Sequence, residues 1–143
     1  MMKTILGATC AATAALGLLA MPASADDHTD AEMTKGEAKL AKMLEGRVAG
    51  EPERCIRTIG SRNLQQIDDT ALVYKQGRTI WVNYTRSPES IDSDDIMVIR
   101  RFDGTSLCRT DQITTVERFG GFFSGVIFLD DFVPYRLPED AEG

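Results

Sequence analysis

One histidine, one tryptophan and three cysteines in 143 residues leave this chain with few of the groups that usually carry chemistry. The histidine, His28, lies in the stretch 26–33 (Asp-Asp-His-Thr-Asp-Ala-Glu-Met), which holds too few apolar groups to pack and is expected to form a loose acidic tail. Without rigid neighbours it is a solvated side chain, which speaks against Ser-His or Cys-His catalysis and against a histidine metal site. No Cys-x-x-Cys occurs, so a redox-active pair at a helix start is not expected. Basic residues are outnumbered, 16 Lys and Arg against 22 Asp and Glu, and no basic run extends beyond Arg100-Arg101. The formal charge of −6 repels nucleic acid, and its plain reading is solubility.

Long apolar runs are also scarce. The one near the start, Ile5 to Ala20, follows Lys3, is about sixteen residues long and ends in Pro22 and Ala23-Ser24-Ala25. It is short for a membrane span, and the Ala-x-Ala triplet is what a signal peptidase cuts. Residues 1–25 therefore read as a secretory signal peptide, with the mature chain beginning at Asp26 and no stable membrane span after cleavage. Thr9 precedes Cys10 and most of the apolar run follows it, which does not suit a lipoprotein signal. Removing 25 of 143 residues leaves 118, and losing Lys3 takes the charge from −6 to −7. That length suits one domain, residues 34–137, followed by an acidic C-terminal tail, 138–143. Export makes oxidation the default, and Cys55 and Cys108 are the two cysteines that remain, so a structural disulfide between them is expected.

What is present reads as a mostly β, α+β domain: a small antiparallel sheet or partly closed barrel of six to seven strands with one N-terminal amphipathic helix. Thr34-Lys35-Gly36-Glu37 has capping-box spacing, and Leu40, Ala41 and Leu44 fall on one side of a helix over 35–45, with Gly46 suited to the left-handed position past its end. Strand-forming segments follow at 54–59, 64–67, 71–75, 79–84, 96–102, 105–108 and 112–118, with hairpin turns expected at Gln76-Gly77 and Asp103-Gly104. The most apolar part of the mature chain is 122–129. Phe122, Val126 and Phe128 would share one face and Phe123, Ile127 and Leu129 the other, so the segment reads as a core strand buried on both sides.

Candidate functional groups are few. Trp81 falls on the more polar face of its strand with Thr79 and Asn83, where an indole either marks a binding surface or packs under a covering element such as the N-terminal helix. Asn83-Tyr84-Thr85 is a glycosylation sequon set in a strand. Asp92-x-Asp94 resembles the start of a calcium loop, but Met97 and Asp103 stand where the glycine and glutamate are needed. Asp68, Asp69, Asp111, Asp130 and Asp131 could together serve a small carboxylate-dependent hydrolase or metal-assisted enzyme, although adjacent aspartates on a strand point to opposite faces. Asp111, framed by Cys108-Arg109 and Ile113, is the acid of most interest, as a binding residue, an ion-pair partner of Arg109 or a turn cap.

Gly46-Arg47-x-Ala49-Gly50-x-Pro52-x-x-Cys55-Ile56, Ile67-Asp68, Leu107-Cys108-Arg109-x-Asp111-x-Ile113 and Phe132-x-Pro134-Tyr135 resemble an uncharacterised family of small secreted or lipid-anchored bacterial proteins, a domain of unknown function, over about 40–135. Two further cysteines of that family's pattern, near Ser87 and near Ser124 to Val126, are absent here. The resemblance implies export and fold class and no activity. The expectation is a non-catalytic periplasmic or secreted domain that binds an unknown protein or envelope ligand, with no cofactor and no metal site.

Overall fold

The computed structural model describes residues 33–59, 63–101 and 103–138. The expected signal peptide with Cys10, His28 and most of the two expected tails lie outside the described residues.

Helix α1 (Lys35–Leu44) begins at the expected capping box: Thr34 Oγ1 accepts from the Glu37 N–H at 3.2 Å and Glu37 Oε2 accepts from the Thr34 N–H at 2.8 Å. Gly46, at φ +70°, follows its last turn. A Cβ at Gly36 would collide with Thr70 Oγ1 and the Asp68 carbonyl, so glycine lets the first turn sit directly on the loop between the third and fourth strands.

Ten strands follow among the described residues: β1 (Val48–Ala49), β2 (Cys55–Arg57), β3 (Leu64–Ile67), β4 (Ala71–Gln76), β5 (Thr79–Asn83), β6 (Ile96–Arg100), β7 (Ser106–Cys108), β8 (Gln112–Val116), β9 (Phe123–Phe128) and β10 (Val133–Arg136). They form antiparallel sheets ordered β1-β10-β5-β4-β3, β2-β7 and β6-β8-β9, with no closed barrel. The domain is of the small α+β class that the segment pattern predicts.

The doubly buried strands are β4 and β5. On one face Ala71, Val73, Ile80 and Val82 pack with Leu40 of α1 and Ile67. On the other, Leu72, Tyr74 and Trp81 share a core with Ile56 and Leu107 of the two-stranded sheet and Ile113 and Ile127 of the three-stranded one. Both sides of Ala71–Tyr74 are therefore apolar, as a strand sandwiched between two layers requires.

Two expectations are corrected. The segment 122–129 is not central: β9 ends the order β6-β8-β9, Ile127 and Leu129 are buried, and Phe122, Phe123 and Phe128 are 71%, 68% and 51% exposed. A bulge explains part of this, because Thr115 pairs with Gly125 while Val116 pairs with Phe123, which moves Phe123 off the face of Ile127. The Asp103-Gly104 turn does not join a hairpin either. Asp103 Oδ1 accepts from the Thr105 N–H at 3.1 Å, and the chain then leaves the three-stranded sheet, so that β6 pairs with β8 and β7 with β2. The Gln76-Gly77 hairpin is present, with β4 and β5 in register from Leu72↔Asn83 to Gln76↔Thr79.

Candidate functional site: an apolar sheet face and an arginine cleft

Trp81 is in the interior rather than on a surface. It is 7% exposed and faces the core between the sheets, not α1, which covers the opposite face of β5 through Ile80 and Val82. Arg136 stands over its ring, 5.8 Å from the centroid. Of the two readings of this indole, packing describes it, and the covering element is a sheet. Asn83 of the sequon is fully buried. Its Oδ1 accepts from the N–H groups of Thr85 and Asp130, both at 3.0 Å, and its Nδ2 donates to the Asp130 carbonyl at 2.6 Å.

The five aspartates serve different local tasks. Asp68 Oδ1 accepts from the Ser93 N–H at 2.6 Å, and that bond holds its carboxyl below the ordinary range. Asp69 takes φ +50° with its N–H on the Ile91 carbonyl. Asp111 is 6% exposed and its Oδ2 accepts from the Cys108 N–H at 2.7 Å, closing the β7–β8 turn. Asp130 Oδ1 accepts from the Asp131 N–H, and Asp131 pairs with Arg109 at 3.1 Å. Asp68 and Asp69 border clefts beside α1, whereas Asp111 borders a different one, so these acids do not converge on a common cleft.

Two features were not singled out in the sequence. The first is the outer face of the three-stranded sheet. Register places Ile96, Val116 and Phe123 side by side, then Val98, Thr114 and Val126, then Arg100, Gln112 and Phe128. Ile96 and Val98 are each 43% exposed, and Phe119 in the β8–β9 turn is almost fully so. None of these nine residues is buried, and Thr114, Val116 and Val126 are half-buried. The apolar run was visible, but an apolar outer face reads in sequence like a second core face.

The second is a cleft of about 300 Å³ bounded by Arg54, Arg86, Arg109, Thr110, Gln112 and Phe128, with Asp111 and Leu129 also on its wall. A neighbouring cleft of about 260 Å³ holds Arg100 and Arg101 and shares Thr110 and Gln112 with it. The Cys55–Cys108 disulfide holds the wall, with a Cα–Cα separation of 4.0 Å on directly paired residues of β2 and β7. Arg54 and Arg109 adjoin it, one just before β2 and the other just after β7, and the Arg109 N–H donates to the Arg54 carbonyl at 2.9 Å. Beyond the adjacent pair Arg100-Arg101, these arginines are scattered at positions 54, 86 and 109, which no sequence scan would gather into one cleft.

Among the described residues no helix is long and apolar enough to cross a membrane, which with the disulfide is compatible with an extracytoplasmic protein. Comparison of the chain with protein-family models, curated proteins and solved structures finds no match.

Proposed function

We propose that the mature chain is a non-catalytic periplasmic or secreted domain that binds an apolar-surfaced envelope component through the outer face of β6-β8-β9. The observation that carries this reading is the exposure of Ile96, Val98, Phe123 and Phe128 on one uncovered sheet face. Contiguous apolar surface of this kind is what a recognition face presents before it is occupied. The dispersal of the five aspartates supports binding over carboxylate catalysis, because acid-base work needs two such groups held around one substrate.

The test is site-specific photo-crosslinking of the exported protein in intact envelopes, with the reactive side chain at Val98 or, as a control, at exposed Lys75 of β4. A discrete, saturable adduct from position 98 that Phe128→Asp abolishes is expected. Adducts of equal yield from both positions, or none from position 98, would turn the reading down.

A further inference from the structure

Resting on the reading of this protein as a binding domain, we propose that the cleft of Arg54, Arg86 and Arg109 is a phosphate-binding site that takes the phosphate group of the ligand. In a chain of net charge −6, guanidinium groups have acidic partners in ample supply. Here three of them line one cleft, and only Arg109 is paired, with Asp131 at 3.1 Å. Arg54 and Arg86 are exposed and form no ion pair among the described residues. Asp111 on the same wall keeps Oδ2 on the Cys108 N–H. Counting Asp111 and Asp131 against Arg54, Arg86, Arg100, Arg101 and Arg109 leaves +3 (5 − 2) along the two joined clefts.

The backbone fixes these arginines in place by two devices. Arg54 and Arg109 flank the disulfide on facing strand ends, so the covalent bond holds their Cα atoms side by side. Arg86 follows Thr85, a β-branched residue at φ +54°, a conformation that sterics disfavour. Thr85 is 7% exposed, its N–H is held by the buried Asn83, its Oγ1 is buried without a hydrogen-bond partner, and the next N–H, that of Arg86, donates to the Phe128 carbonyl at 3.0 Å. Backbone strain held by a buried side chain and leading into an exposed cation is the pattern of a positioned ligand contact.

Phosphate suits the donor set better than carboxylate. Two guanidiniums without an ion-pair partner among the described residues offer two planar forks, and Thr110 and Gln112 line the same cleft, more donors than one carboxylate can satisfy and suited to the terminal oxygens of a phosphomonoester, the form that free phosphate and a phosphatidic acid headgroup both present. Phe128, on the cleft wall and 51% exposed, joins the cleft to the apolar sheet face, so a ligand bearing a phosphate on an apolar body would engage both.

Mature protein, residues 26–143 with the disulfide intact, is titrated with inorganic phosphate while the arginine side-chain N–H resonances are followed by NMR, and is floated with phosphatidylcholine vesicles that contain phosphatidic acid or lack it. Saturable shifts confined to the cleft are expected, weakened at least tenfold in Arg54→Gln/Arg86→Gln and unchanged in Lys75→Gln, with Trp81 fluorescence confirming that each variant is folded. Flotation that requires phosphatidic acid and is lost in the double variant assigns the phosphate to a lipid headgroup, and saturation by free phosphate without flotation assigns it to a soluble ligand. Non-saturable shifts, or equal weakening in Lys75→Gln, would overturn the site. The same result alongside an intact Val98 crosslink would remove the cleft and leave the binding face standing.

Discussion

Asp68 shows how an exposed carboxylate can matter to stability without belonging to a site. Its bond from the Ser93 N–H ties the β3–β4 loop to the loop before β6, and it lowers the folded-state pKa relative to the unfolded chain. The sign follows from linkage: a depressed acid contributes stability that is complete above the unfolded carboxylate range and is lost as pH falls through the folded value. Asp68→Asn is thus expected to unfold at lower urea concentration than wild type at pH 7, by no more than about 1 kcal/mol because solvent screens an exposed group. The two midpoints should converge as the pH is taken below the folded value, and a gap that persists in acid would point to lost packing instead. Asp111 was legible in part. Its spacing after Cys108 suggested a turn cap or a pair with Arg109, and the cap is what forms, while Arg109 turns to Asp131, 22 residues on, a choice that only the fold determines.

At the scale of elements, most local signals were read well, the Asp103-Gly104 hairpin excepted, whereas the placement of strands within the sheets was not. The capping box of α1 and the Gln76-Gly77 hairpin rest on a few neighbouring residues, and both are present. Strands β1 and β10 were missed because one is two residues long and the other contains Pro134, whose missing N–H marks a loop in most contexts. The misplacement of β9 has a different origin. Alternation separates its two faces but cannot say whether both are covered, and the bulge at Thr115/Val116 then resets which face Phe123 joins. Substitution separates the two positions: Ile127→Ala should cost about 2–5 kcal/mol through lost burial and a cavity, whereas Phe123→Ser should stay within about 0.5 kcal/mol as an exposed change. Comparable losses in chemical denaturation would restore the strand to the core.

For the whole molecule, the two-stranded sheet is the weakest-looking part and the most constrained. Strands β2 and β7 are three residues each, yet they carry Ile56 and Leu107 into the core, and the Cys55–Cys108 bond joins them across a sequence separation of 53. Closing a loop of that length removes unfolded-state entropy worth about 4 kcal/mol in the chain-entropy model. The exported protein should carry no alkylatable thiol without reductant by mass spectrometry, and reduction should lower the urea midpoint by a comparable free energy. Two free thiols in the native protein would rule the bond out. The exposure of β9 has a cost of its own before any ligand arrives. An aromatic edge strand is a template for stacking further copies into fibrils, and 122–129 carries no charge within it, although the bulge at Thr115/Val116 and the Arg86 N–H on the Phe128 carbonyl interrupt that template. Glu117-Arg118 on one flank and Asp130-Asp131 on the other act as gatekeepers against that outcome, so the acidity that keeps the whole chain soluble is also placed where a growing cross-β stack would have to bury it.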